Sequence, residues 1–243
     1  KKAKIRGQVS EGMICAEDEI GIGTSHAGII VLDTDLPNGT PASAYFEVTQ
    51  DQILEIGLTP NRADAASHLG VARDLKALVR RDLCLPEEKA LPVEVQGPAV
   101  QVVVDKTDDC PRYAGVVLTD IQVGPSPQWL QHFLRSLGLE PINNVVDTTN
   151  YILHDLGQPL HAFDAAKIGE GRIRVGKLPK GSTFLTLDGK VRKLSGEELM
   201  ICDPKGGMCI AGVFGGAVSG VSDQTTSIFL ESAYFSPDVI RKG

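Results

Sequence analysis

Residues 141–164, PINNVVDTTNYILHDLGQPLHAFD, concentrate side chains that both donate and accept hydrogen bonds. Asn143, Asn144 and Asn150, Thr148 and Thr149, Gln158 and the imidazole of His161 surround an apolar pair, Val145-Val146. Pro159 stands two residues before His161. Buried without partners such groups are costly, so their concentration argues for something polar to hold. A plainer reading is a capped turn leading into a helix, with Asp147 and the Thr pair as helix-start residues. The two readings are compatible.

Two further stretches could join this one. In Ala211-Gly212-Val213-Phe214-Gly215-Gly216 the small residues would let backbone N–H groups approach a ligand closely, although a tight turn or close strand packing explains them equally. No Lys-Ser or Lys-Thr follows, so a nucleotide phosphate loop is not supported. Glu231 ends an apolar strand, Ile228-Phe229-Leu230, where a carboxylate must find donors or stay at a rim. Other templates fit poorly. Ser195-Gly196 and Ser219-Gly220 lack the GxSxG elbow of a serine hydrolase, and none of the five His lies in HExxH. Cys202 and Cys209 have no neighbouring His to complete a metal site.

The elements that position these residues are strand-rich. Lys4–Val9 and Gly28–Leu32 read as strands broken by Gly and Pro, and Gln52–Leu58 as another. Apolar spacing predicts a helix over Ala63–Arg81, capped by Asp64 or Thr59. A charged, Pro-containing joint at 87–97 suggests a boundary. Beyond it, strands are expected at Val100–Asp105 and Tyr113–Val123, and a helix from Pro127 through Trp129 and Phe133 to Gly138. Further strands follow at Arg172–Val175, Thr183–Leu187, Leu199–Cys202, Met208–Val213 and Ser227–Leu230, with a hairpin at Asp188-Gly189. Strands and helices do not alternate regularly, which predicts an α+β fold rather than a doubly wound one.

The 243 residues are 42% hydrophobic and carry a net charge of −7. That charge argues against tight binding of nucleic acid by this chain alone, since phosphate neutralisation needs a concentrated basic face. No apolar run spans a bilayer, and Lys1-Lys2-Ala3-Lys4 leads into no signal core. Five scattered cysteines, never spaced CxxC, suit reduced thiols in the cytoplasm.

The stretch 141–164, AGVFGG (211–216) and LESAYF (230–235) together resemble the β subunit of bacterial phenylalanyl-tRNA synthetase. TPNRADAASHLGVARDL (59–75) and IRGQVSEGMICAEDEIGIG (5–23) point the same way, in the same order along nearly the whole chain. The resemblance implies an internal fragment of a longer subunit with three parts. Residues 1–50 would be the C-terminal part of an OB-type domain, 51–92 a small segment contacting the α subunit, and 93–243 the editing-type domain. It implies hydrolysis of tyrosine wrongly attached to the phenylalanine tRNA. A pocket shaped for phenylalanine rejects an added hydroxyl only about 10²-fold, whereas a second site that hydrogen-bonds the hydroxyl does better.

By position in these motifs, Glu231 and the Gly212 N–H would hold the tyrosine hydroxyl. Ala211, Gly215, Gly216, Ala233 and Pro159 would shape the ring pocket. Thr149, Asn150 and His161 would lie near the ester, positioning water or the tRNA 3′ end. No cofactor is expected in this chain; ATP and Mg²⁺ would act at the α subunit of an α2β2 parent. Where the family often carries Arg, this chain has Glu140, which reverses the local charge. A scaffold and subunit-contact role without editing is the competing reading.

Overall fold

A computed structural model describes residues 3–46, 51–85, 87 and 99–243. The chain divides into two compact units, 1–52 and 53–243. In the first, β1 (Ala3–Ile5) and β2 (Gln8–Ser10) form an antiparallel hairpin. Its turn residues Arg6 and Gly7 both have positive φ, as the twist-matched two-residue turn requires. A 3-10 turn at Asp18–Ile20 and a short α-helix, α1 (Ala42–Tyr45), follow. The strand expected at Gly28–Leu32 is absent: the Ile30 N–H reaches the Cys15 carbonyl, no ladder extends from it, and Val31 is 88% exposed.

The second unit holds α2 (His68–Val79), β3 (Gln101–Val104), β4 (Arg112–Leu118), α3 (Gln128–Ser136) and α4 (Asn144–Leu156). Then come β5 (Leu160–Asp164), β6 (Arg172–Lys177), β7 (Thr183–Leu185), β8 (Val191–Lys193) and β9 (Leu199–Asp203). β10 (Gly206–Ile210), β11 (Phe214–Gly215), β12 (Ile228–Tyr234) and α5 (Pro237–Ile240) complete it. The strand expected at Gln52–Leu58 is irregular chain with Ile53, Leu54 and Ile56 exposed; its alternation has no neighbouring strand to pair with. The first helix starts later than its apolar spacing suggests. Ser67, not Asp64 or Thr59, caps α2 by accepting from the Gly70 N–H at 3.0 Å. The boundary expected at 92/93 lies outside the described residues, and α2 packs on α4 within the second unit.

Two sheets form the core, and the fold is α+β. One has the order β11-β10-β9-β6-β3, with β3 and β6 parallel and the other pairs antiparallel. The other, β4-β12-β5, is wholly antiparallel. Between them Phe163 and Phe229 pack against Ile173, Val175, Leu199 and Ile201. The run Leu199-Met200-Ile201-Cys202 is buried on both faces, as in a strand covered from two sides. Leu199 and Ile201 face the other sheet, while Met200 and Cys202 pack with Phe184 and Leu194, brought by the β7–β8 hairpin region. Cys209 belongs to the first cluster, so Cys202 and Cys209 sit in separate cores.

Much of the polar density at 141–150 serves the fold itself. Asn143 caps α4 by accepting from the Val145 and Val146 N–H groups at 3.1 and 3.0 Å. Asn144 clasps the preceding segment, donating to the Gln122 carbonyl at 2.8 Å and accepting from the Gly124 N–H at 3.2 Å. Asp147 lies in the first turn of α4, as expected, and is also a fully buried tie. Its carboxylate accepts from the Ser126 hydroxyl and, at 2.8 Å, from the Ile142 N–H.

Candidate functional site

Strand β12 organises the site because both its neighbours pair with it residue for residue. Glu231 lies opposite His161 of β5 and Gly115 of β4, and Ala233 lies opposite Tyr113. Directly paired residues of adjacent strands share a face, so Glu231 and His161, seventy positions apart in sequence, stand side by side. Phe163 and Phe229, two residues along each strand, extend that face into the apolar core.

Beside this pair opens a cavity of about 510 Å³, a size typical of small-molecule sites. Its polar lining comes from Glu231, His161, Gln158 and Tyr234, and its other walls include Pro159, Gly215, Ala233, Phe214 and Phe235. Gly212 and Ile240 also line it. Gly212 has φ +66°, and it stands in the turn closed by the Val213 N–H to the Ile210 carbonyl. That turn needs a positive φ at its third position. A Cβ at 212 would also come within 2.8 Å of Ile240 Cδ1. At Gly215 a Cβ would meet Leu187 at 2.8 Å and His161 Cε1 at 3.2 Å, so this glycine lets the imidazole lie against β11.

The electrostatics separate the two titratable groups. Burial pushes the Glu231 carboxyl up to about 7, and a hydrogen bond from the Tyr113 hydroxyl to Oε2, at 3.0 Å, works in the opposite direction. Oε1 has no hydrogen-bond partner among the described residues. Burial lowers the His161 pKa, which favours a neutral imidazole with one donor and one acceptor nitrogen. Its ring packs edge-on against Phe163, centroids 4.4 Å apart. Buried Cys209, also in the lining, is held as a thiol by burial and by the nearby carboxylate.

Of the residues singled out from sequence, Pro159, His161, Gly212, Gly215, Glu231 and Ala233 all line this cavity. Ala211 and Gly216 stand behind it. Ala211 is buried in the inter-sheet core, and Gly216 bonds the Met208 carbonyl, where a Cβ would come within 2.5 Å of that oxygen. Thr149 and Asn150 lie on α4 outside the lining. The Thr149 hydroxyl is turned onto its own helix, donating to the Val146 carbonyl at 2.7 Å. Tyr113, Phe214, Phe235 and Ile240 were not singled out individually, and Cys209 only as a metal ligand set aside. A tyrosine within an otherwise apolar strand, Tyr113 to Leu118, is the one sequence signal that could have flagged the first. A second hollow of about 370 Å³ runs beside α2 and is walled largely by its Leu69, Ala72, Leu75 and Val79.

Residues 109–243 match the B3/4 domain family. The whole chain is 56% identical to the phenylalanine–tRNA ligase β subunit of Bacteroides fragilis and 53% identical to that of Porphyromonas gingivalis, spanning 30% of each relative. The β subunit of Salinibacter ruber is 47% identical over 98% of this chain and 29% of its own length. The chain thus spans about a third of the curated relatives it matches. A solved N-terminal fragment of the phenylalanyl-tRNA synthetase β subunit from Pyrococcus horikoshii aligns at 16% identity and a TM-score of 0.44, over 74% of this chain and 54% of that one. The three-stranded sheet and the cavity against it lie wholly inside the matched region. The chain belongs to the B3/4 domain family.

Proposed function

We propose that the cavity removes tyrosine from mischarged phenylalanine tRNA, as the proofreading part of a cytoplasmic phenylalanine–tRNA ligase. One observation carries this reading. A buried carboxyl with one oxygen held by the protein and the other free lines a cavity walled by aromatic and small residues. Such a floor hydrogen-bonds a phenol but gives a phenyl ring nothing in return, and an unpaired buried polar group is penalised. In this reading Glu231 Oε1 and the Gly212 N–H hold the tyrosine hydroxyl. Gly215 and Ala233 set the ring width, with Ala211 and Gly216 fixing the backbone behind them.

The reaction is ester hydrolysis. Water attacks the carbonyl carbon, the bond to the ribose oxygen breaks, and tyrosine and free tRNA leave. An aminoacyl ester is already activated, so holding water in line provides much of the rate. His161, neutral and turned toward the cavity, orients that water rather than abstracting its proton outright. Thr149 and Asn150, on the neighbouring α4, guide the tRNA 3′ end rather than contact the ring. With a net charge of −7 the chain relies on other parts of an α2β2 ligase for tRNA affinity. Synthesis with ATP and Mg²⁺ belongs to the α subunit.

The test is deacylation of Tyr-tRNA and Phe-tRNA by full-length ligase with and without Glu231→Ala. The wild type should prefer the tyrosyl ester and the variant should lose that preference. Equal hydrolysis of the tyrosyl ester by both would leave the chain a scaffold.

A further inference from the structure

We propose that Tyr113 is a positioning residue for the specificity contact: its hydroxyl fixes Glu231 Oε2 and thereby presents Oε1 to the cavity. The inference rests on the proofreading reading and deepens it. The 3.0 Å bond is the only hydrogen bond either side chain makes among the described residues. It spans 118 positions in sequence and is built by register. Tyr113 pairs with Ala233, two residues beyond Glu231, so it sits diagonally across from the carboxyl, within reach of a long side chain.

The ring is held independently of the hydroxyl. It lies nearly parallel to Phe229, with centroids 6.4 Å apart and planes 12° apart. Phe229 in turn occupies the space over Gly115, where a Cβ would come within 2.1 Å of its Cζ. Glycine opposite Glu231 therefore clears room for the stack that aims the phenol. The other titratable groups facing the carboxyl are His161 on β5, Cys209 on β10 and Cys110 before β4. His161 is kept neutral by burial, and both thiols are pushed upward by burial and by Glu231 itself. No cation contributes to the carboxyl's environment, which burial and Tyr113 alone shift. Without the phenol the carboxyl has no fixed partner. Its two oxygens become equivalent, it can turn from the cavity, and its affinity for a proton rises.

The experiment is Tyr113→Phe in full-length ligase, which keeps the ring and its stack. The ratio of kcat/KM for the tyrosyl ester over the phenylalanyl ester should fall about tenfold, the upper scale of one lost hydrogen bond. The pH midpoint of tyrosyl-ester hydrolysis should move upward. In a Glu231→Ala background, which removes the acceptor, the same change should add nothing, because Tyr113 acts through Glu231. A variant that merely loosened the fold would still lose activity in that background, so the cycle separates positioning from packing. Equal effects on both esters, or full additivity with Glu231→Ala, overturn the inference and leave the proofreading reading standing. Equal tyrosyl-ester hydrolysis by wild type and Glu231→Ala overturns both.

Discussion

Glu231 couples the site to the stability of the fold. Its folded pKa, raised from 4.5 to about 7, means the native state binds this proton more tightly than the unfolded chain does. Its contribution is therefore fully present below pH 4.5 and is lost as pH rises through 7. Glu231→Gln removes that dependence. Denaturant unfolding should show the variant gaining on the wild type by about 2–3 kcal/mol between pH 5 and pH 8. A constant difference would mean that the carboxyl is not buried as described. His161 is perturbed in the opposite sense, its charged form disfavoured by burial. Two groups side by side whose environments both favour the neutral state can share polar contacts with a neutral phenol and a water.

At the scale of the element, α4 and the segment before it show how polar residues are spent on architecture. Asn143→Ala removes only a cap and should cost about 1 kcal/mol. Asp147→Ala leaves the Ile142 N–H and the Ser126 hydroxyl without their buried partner and should cost clearly more, about 3 kcal/mol. Equal losses in thermal or denaturant unfolding would contradict the tie. The density at 141–150 was legible as polar need, but not the fact that much of it meets backbone groups, those of α4 itself and, through Asn144, of Gln122 and Gly124. Backbone partners leave no side-chain signature. The strand run at 199–202, the helix opened by Pro127 and the Asp188-Gly189 hairpin were legible because periodicity and turn chemistry are local. The pairing of Glu231 with His161, and the reach of Tyr113, depend on register across three distant strands, which no local pattern carries. The strands expected at 28–32 and 52–58 failed for a related reason: alternation specifies a face but does not supply a neighbour.

For the whole molecule, the distribution of thiols offers a check on where the core lies. Cys110, Cys202 and Cys209 are buried, whereas Cys84 is exposed. A thiol reagent should label Cys84 at once and the three buried thiols only on unfolding; rapid labelling of Cys209 would place the wall of the cavity at the surface. The two-sheet core brings β12 between β4 and β5, and the turn at Gly212 lines the hollow beside them. The whole account depends on that hollow receiving an aromatic ring. The most direct measurement is a crystal structure with tyrosine, or a non-hydrolysable tyrosyl-adenosine mimic, bound. The ring should lie between Gly215 and Ala233, with the phenol oxygen at about 3 Å, hydrogen-bonding distance, from Glu231 Oε1 and the Gly212 N–H. Tyrosine seated elsewhere, or a ring in the cavity with its hydroxyl turned away from Glu231, would contradict the account.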